Sequence, residues 1–130
     1  TVEFKQENVD FAKKNHKDFN VHDQINVHLS DAVKFVKELK HTYDFVFIDA
    51  NKKDNEDYIN FIIPHVEPGG LICVDNLLWK GRTTAKSLVT EGSLESTTEI
   101  RKFNKWLVNH PHLTTQILPI GDGISLSVKK

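Results

Sequence analysis

Two short apolar runs, Phe45–Ile48 and Leu71–Val74, each stop at an aspartate, Asp49 and Asp75, and Asn76 follows the second. Short apolar runs that end in carboxylates read as buried parallel strands whose C-terminal tips carry chemistry. Oxygen donors from neighbouring tips suit a hard divalent cation. Taken alone, each aspartate has a plainer use, as a helix N-cap or an acceptor for loop amides. Lys52, beside Lys53, reads on its own as a solvated loop lysine.

The elements that must position these tips alternate. Thr1–Phe4 reads as a short strand with Glu3 near its tip. Residues 8–20 read as a helix, with Val9, Ala12, His16 and Phe19 on one stripe and Lys13, Lys14 and Lys17 off it. Ile25–Leu29 is the next strand. Ser30 or Asp31 can cap the helix that follows, whose Val33, Val36 and Leu39 share a face. Phe45–Asp49 is the third strand. A polar loop, Asn51–Asp57, runs into a helix from about Glu56 to Val66, which Pro64 ends or kinks. Glu67-Pro68-Gly69-Gly70 reads as a turn into a strand, Leu71–Asp75. Asn76–Thr98 is a long polar connection. Ile100, Phe103 and Leu107 mark a helix, and the strands Leu113–Pro119 and Ile124–Val128 close the chain around Gly121-Asp122-Gly123, which has hairpin chemistry.

Repeated strand–helix–strand units predict an α/β fold with a mostly parallel sheet and an antiparallel strand added by the terminal hairpin. Ligands bind beyond the carboxyl ends of such strands. Glu3, Asp31, Asp49 and Asp75 all fall at or just past those ends, and their coincidence on one rim is stronger evidence than any one of them.

Composition narrows the class. The chain has 130 residues, a formal net charge of −1 and one cysteine. That length fits one domain at most, and the near-neutral charge advertises no nucleic-acid field. A single thiol, Cys73, inside an apolar run excludes an internal disulfide and suits a reducing, cytoplasmic setting. It reads as a small core residue. The seven histidines show no metal-binding spacing. No apolar run is long enough to span a bilayer. The chain lacks methionine and opens directly in strand-like TVEF; it reads as a piece of a longer protein.

IDANKK, PGGLICVDNLLWKG and the closing LPIGDGISLS resemble the cation-dependent O-methyltransferases related to caffeoyl-CoA O-methyltransferase and, more distantly, catechol O-methyltransferase. The resemblance covers essentially the whole chain. It implies a Rossmann-like sheet that binds S-adenosylmethionine, with the first strand and its glycine-rich loop lying upstream of Thr1. It places Asp49, Asp75 and Asn76 on the metal ligands, with Mg²⁺ or Ca²⁺ as the ion, and Lys52 near the reacting oxygen. Glu3 matches the acidic residue that binds the ribose, Asp31 and Ala32 the pair at adenine, and Asp49 and Tyr58 further cofactor positions. Trp79 falls at the acceptor pocket, where it either stacks on a flat substrate or packs beneath its loop.

Two departures stand out. The family reads Asp-Ala-Asp-Lys where this chain has Asp49-Ala50-Asn51-Lys52, and a tyrosine common three residues after the lysine is Asn55. The plant enzymes' substrate loop is not recognisable in residues 81–98.

The expected activity is therefore S-adenosylmethionine-dependent, cation-dependent methylation of a vicinal-oxygen, catechol-like hydroxyl, by a homodimer. Relatives that methylate a hydroxylated uridine make transfer RNA an alternative partner. A dinucleotide oxidoreductase would also use Glu3 on a ribose but leaves Asp49, Asp75 and Asn76 without a role. The chain as it stands can instead be an inactive assembly module, since a gap where the first strand belongs exposes sheet edges.

Overall fold

The computed structural model describes residues 1–130, which fall into two compact units, Thr1–Leu39 and Lys40–Lys130.

In the first unit Val2–Glu3 (β1) and His28–Leu29 (β2) pair in parallel. Helix α1 spans Gln6–Asp18 and helix α2 spans Ala32–Lys37. The strand expected over Ile25–Leu29 is thus two residues long. The parallel register sets that limit: Val2 and Glu3 stand opposite His28 and Leu29, so residues 25–27 have no paired residue in β1. Bonds from His28 N to Thr1 O and from Ser30 N to Glu3 O flank the short ladder. Val9 anchors the α1 stripe at 1% exposure. Phe19, expected on that stripe, is instead exposed, because it lies past the end of α1, where the backbone leaves helical geometry.

The second unit is built on a four-stranded sheet. Its strands are Tyr43–Ile48 (β3), Val66–Val74 (β4), Leu113–Leu118 (β5) and Ile124–Lys129 (β6), in the order β3-β4-β6-β5. β3 and β4 are parallel, and β6 runs antiparallel to both of its neighbours. The hairpin therefore joins on the β4 side through its inner strand, and β5 forms the edge. Three consecutive residues of β4, Ile72, Cys73 and Val74, are buried, so both of its faces are covered. β3 is different. Ile48 is buried, but Tyr43, Phe45 and Phe47 on the alternate positions are exposed, and β3 has no strand on its outer edge. The apolar run Phe45–Ile48 is thus covered on one face only, which corrects its reading as a fully buried strand.

Glu67–Gly70 does not form a free turn. Tyr43 pairs with Val66 and Phe45 with Leu71, so the four residues are taken up as a bulge within β4. Gly70 is required there, since a Cβ would lie 2.6 Å from Val66 Cγ1 and 2.8 Å from Glu67 O.

Helix α3 (Asn55–Ile62) is shorter than expected. A 3₁₀ turn over Lys52–Asp54 precedes it, and a second over Ile63–His65 contains Pro64, which has no N–H with which to continue the α-helix. Helix α4 (Leu94–Val108) begins well before Ile100. A 3₁₀ turn over Glu91–Ser93 leads into it, and Thr90 and Ser93 cap that turn reciprocally, with Thr90 N donating to Ser93 Oγ at 2.9 Å. No helix is long and apolar enough to cross a membrane.

The hairpin turn supplies a paired test. Gly121 (φ +57°) has open space where a Cβ would go, whereas at Gly123 (φ +85°) a Cβ would overlap the Leu78 side chain and sit 2.7 Å from Leu78 N. Gly121→Ala should lower stability by only about 1–3 kcal/mol, the cost of backbone strain at this φ. Gly123→Ala should lose that plus a further roughly 1–3 kcal/mol for the overlap. Urea denaturation of the two variants checks the difference.

Candidate active site

The parallel pairing of β3 with β4 brings the two strand-end aspartates to neighbouring tips. Ile48 stands opposite Val74, and the next amide, Asp75 N, still donates to Ile48 O at 3.1 Å. Asp49 and Asp75 therefore leave the sheet one after the other on adjacent strands.

Asp49 Oδ1 accepts from Lys52 Nζ at 2.9 Å. The lysine side chain is largely buried, at 17% exposure, and the aspartate's is half open, at 55%. The 3₁₀ turn over Lys52–Asp54 aims the lysine back at the strand tip. Asn51 caps that turn: its side-chain oxygen accepts from Lys53 N, and its Nδ2 donates to Asp54 Oδ2 at 2.8 Å. The second bond explains the departure from the family's Asp-Ala-Asp-Lys. A carboxylate at position 51 would face Asp54 with no proton to give, whereas the carboxamide supplies one. Asn55, the second departure, is buried, and its Oδ1 has no partner.

Asp75 Oδ1 accepts from Asn76 N at 2.6 Å. Asn76 (φ 64°), Trp79 (φ 51°) and Lys80 (φ 56°) all occupy the left-handed region, which non-glycine residues avoid. Three non-glycine residues in this region within five positions require outside support, and the hairpin turn gives it. Leu77 N donates to Gly123 O at 2.9 Å, Leu78 N to Asp122 O at 2.7 Å, and Lys80 N to Asp122 Oδ1. Helix α4 holds the other side. Asn104 Nδ2 donates to Leu77 O at 2.8 Å, Arg101 donates to the carbonyls of Thr83 and Arg82, and Ser96 Oγ accepts from Trp79 Nε1 at 3.2 Å. Asp122, Ser96, Arg101 and Asn104 were not among the sequence candidates. Asp122 carried a signal as the centre of the turn. The other three share a helix with ordinary surface residues, and nothing in their spacing marks them.

Trp79 lines a cleft of about 730 Å³ with Lys52, Ile100 and Phe103. It is thus a wall of that cleft as well as a packed loop residue. Lys52 connects the cleft to Asp49.

The remaining predicted residues have the following places. Glu3 ends β1, and its Oε1 accepts from Lys5 N at 2.8 Å. This backbone bond, with lesser help from Asn8, holds its carboxyl below the usual range. Asp31 caps α2, accepting from Lys34 N at 2.9 Å, and Ala32 is the first residue of that helix. Both uses foreseen for Asp31 remain compatible. Tyr58 lies in α3 and is 4% exposed. Burial raises the Cys73 thiol pKa, as befits a core residue.

No three His, Cys, Asp or Glu side chains gather to hold a metal. The expected set contains two carboxylates and one carboxamide, all hard oxygen donors, a chemistry that suits Mg²⁺ or Ca²⁺. Asp49 already faces a cation, the Lys52 ammonium, so its carboxylate is arranged to hold positive charge.

Comparison with known proteins bears on the family and the fold. The sequence profile described as "O-methyltransferase" matches residues 1–130. The Dictyostelium discoideum protein named "Probable caffeoyl-CoA O-methyltransferase 2" is 35% identical over 111 residues, 82% of this chain and 47% of its own. Tapetum-specific methyltransferase 1 of Arabidopsis thaliana is 33% identical over 123 residues, 91% of this chain and 51% of its own. The chain thus spans about half the length of these relatives. Among solved structures, the O-methyltransferase from Bacillus cereus in complex with SAH superposes with a TM-score of 0.83 at 24% identity, over 100% of this chain and 61% of that one. At that identity the likeness establishes the fold.

The clamp on the 76–84 loop can be tested apart from any activity. Arg101→Lys removes the two-pronged donation to Thr83 O and Arg82 O, since an ammonium cannot reproduce the guanidinium fork. Amide hydrogen exchange of residues 79–85 should speed up by about tenfold, while α4 and β4 keep their protection. Unchanged exchange in the loop would show that the clamp is dispensable.

Proposed function

The chain belongs to the O-methyltransferase family, and from that premise we propose that its protein moves a methyl group from S-adenosylmethionine to one hydroxyl of a vicinal-oxygen, catechol-like acceptor, with a divalent cation at Asp49, Asp75 and Asn76. One observation carries the proposal. Asp49 and Asp75 leave adjacent parallel strand tips, and the Lys52 ammonium stands 2.9 Å from Asp49 beside an aromatic-walled cleft.

The net reaction is simple. The acceptor O–H bond breaks and its proton passes to solvent, its oxygen forms a bond to the methyl carbon, and the carbon–sulfur bond of the sulfonium breaks to leave a neutral thioether. Asp49, Asp75 and Asn76 would hold the cation, which would supply Lewis-acid chemistry that lowers the pKa of an acceptor hydroxyl. The chain's own residues supply the rest. Asp49 and Asp75 carry the negative charge that holds the cation. Asn76 adds a neutral oxygen, and its left-handed backbone, held by the hairpin turn through Leu77 and Leu78, sets the direction of the loop that bears it. Lys52 presents positive charge where oxyanion character develops. Trp79, tied to Ser96, offers a flat face against which an aromatic acceptor stacks. Glu3, with its carboxyl held ionised, and Asp31 with Ala32 are assigned to the ribose and adenine of the cofactor. Asp49 and Tyr58 are assigned to the cofactor's remaining surface.

The test uses the native, full-length protein with labelled S-adenosylmethionine. A catechol should accept methyl and the matching monophenol should not. Chelation should abolish transfer and added Mg²⁺ restore it. Asp75→Asn should lower kcat by at least about 100-fold with the circular dichroism spectrum unchanged, and Lys52→Ala by about 10²–10³-fold, the usual range for a group that stabilises developing oxyanion charge. Full activity under chelation would refute the cation role.

A further inference from the structure

Asp49 has two claims on it. It is one of the three oxygen donors assigned to a divalent cation, and its Oδ1 accepts from the Lys52 ammonium at 2.9 Å. Asp75 differs. Its Oδ1 accepts from the Asn76 amide at 2.6 Å, and it forms no ion pair. Of the two carboxylates at the strand tips, one is therefore neutralised by a fixed positive charge and one is not. The lysine is no drifting surface side chain. It is 17% exposed, and the 3₁₀ turn Lys52–Asp54 that carries it is pinned by Asn51, which accepts from Lys53 N at 3.4 Å and donates to Asp54 Oδ2 at 2.8 Å. A fully exposed ion pair exchanges its partner for water at little cost. A lysine with little access to water keeps its carboxylate, because an unpaired charge away from solvent is costly.

Resting on the methyl-transfer reading above, we propose that Lys52 antagonises the cation: by neutralising Asp49 it holds the affinity of the Asp49, Asp75 and Asn76 set for a divalent ion below what two free carboxylates and a carboxamide would give. Oxygen-ligand sites tune their affinity through the number of charged ligands. Here two carboxylates bring −2 and the ammonium returns +1, so an incoming ion meets a net charge of −1. To bind at Asp49 the ion either shares the carboxylate with the ammonium, against repulsion, or displaces the ammonium into the cleft that Lys52 also lines. Both routes cost affinity. The consequence is a site that holds its ion loosely and exchanges it, in contrast to one that keeps a resident metal.

The experiment titrates the native, full-length protein calorimetrically with Mn²⁺, Mg²⁺ or Ca²⁺ alone, with neither cofactor nor acceptor present. Lys52→Met keeps the length of the side chain without its charge, Lys52→Gln keeps a hydrogen-bond donor without the charge, and Lys52→Arg keeps the charge. The two neutral variants should each bind the ion about tenfold more tightly than the native protein, from one unit charge removed beside a divalent ion at partly screened distance. The factor should be similar for all three ions, since a point charge does not tell them apart. Lys52→Arg should stay within about threefold of the native value, because the guanidinium remains charged. Asp75→Asn, alone or combined with Lys52→Met, should weaken binding at least about tenfold, which locates the ion. The neutral variants should also transfer methyl more slowly than the native protein, so that cation affinity and kcat move in opposite directions; a lysine that merely supported the loop would lower both. Unchanged or weaker cation binding in both neutral variants, or an equal gain in Lys52→Arg, overturns the proposal. If Asp75→Asn still weakens binding in that case, the cation site stands and only the role given to Lys52 falls. Binding indifferent to Asp75→Asn, or no binding by the native protein and the neutral variants alike, sinks the cation site and the antagonism together.

Discussion

The bond from Asp75 N to Ile48 O carries the parallel ladder one residue beyond the last paired positions of the two strands. On it depends the placement of everything chemical in the second unit. Because the ladder persists to Asp75, the two aspartates emerge from adjacent strands at the same level of the sheet. A slip of one residue would turn each to the opposite face, since strand side chains alternate. The buried residues of β4 guard that register. Ile72, Cys73 and Val74 are packed on both faces, and a shifted strand would bring β4's aspartate into the core.

Beyond the ladder, the backbone from Asn76 to Gly81 is held in a conformation its residues do not favour. The bonds that Leu77 and Leu78 donate to the Gly121–Gly123 turn and that Asn104 of α4 donates to Leu77 O hold it, while Trp79 donates its indole N–H to Ser96 and Arg101 ties the following carbonyls of Arg82 and Thr83. Strain of this kind persists only where surrounding structure insists on it, and it clusters at functional sites. It also accounts for two motifs that lie far apart in sequence. The segment VDNLLWKG and the segment IGDGIS are the two halves of one hydrogen-bonded assembly, and Gly123 is a glycine because Leu78 leaves no room for a Cβ.

Electrostatics organise the same region at both strand tips. At the β3 tip Asp49 is answered by Lys52, and Asn51 donates to Asp54. At the β4 tip Asp75 accepts from the Asn76 amide. Each bond gives its carboxylate a defined position.

Much of this was legible in the residues alone. The alternation of strands and helices followed from hydrophobic period, the placement of Asp49 and Asp75 at strand tips from the ends of the apolar runs, and the hairpin from Gly121-Asp122-Gly123. These are local signals, written within a few neighbouring residues. Other features had no local signal. Phe45 and Phe47 read as buried, yet they are exposed because β3 has cover on one face only. Glu67–Gly70 reads as a turn, yet pairing with β3 draws it into a bulge. Arg101 and Asn104 look like any residues of a helix until folding lays that helix along the 76–84 loop. Sequence determined which side chains can do chemistry and which segments carry them, because composition and period act over short range. Tertiary structure decided which carbonyls those side chains meet, which faces stay open and which carboxylates share a cleft, because those outcomes depend on residues brought together from distant parts of the chain.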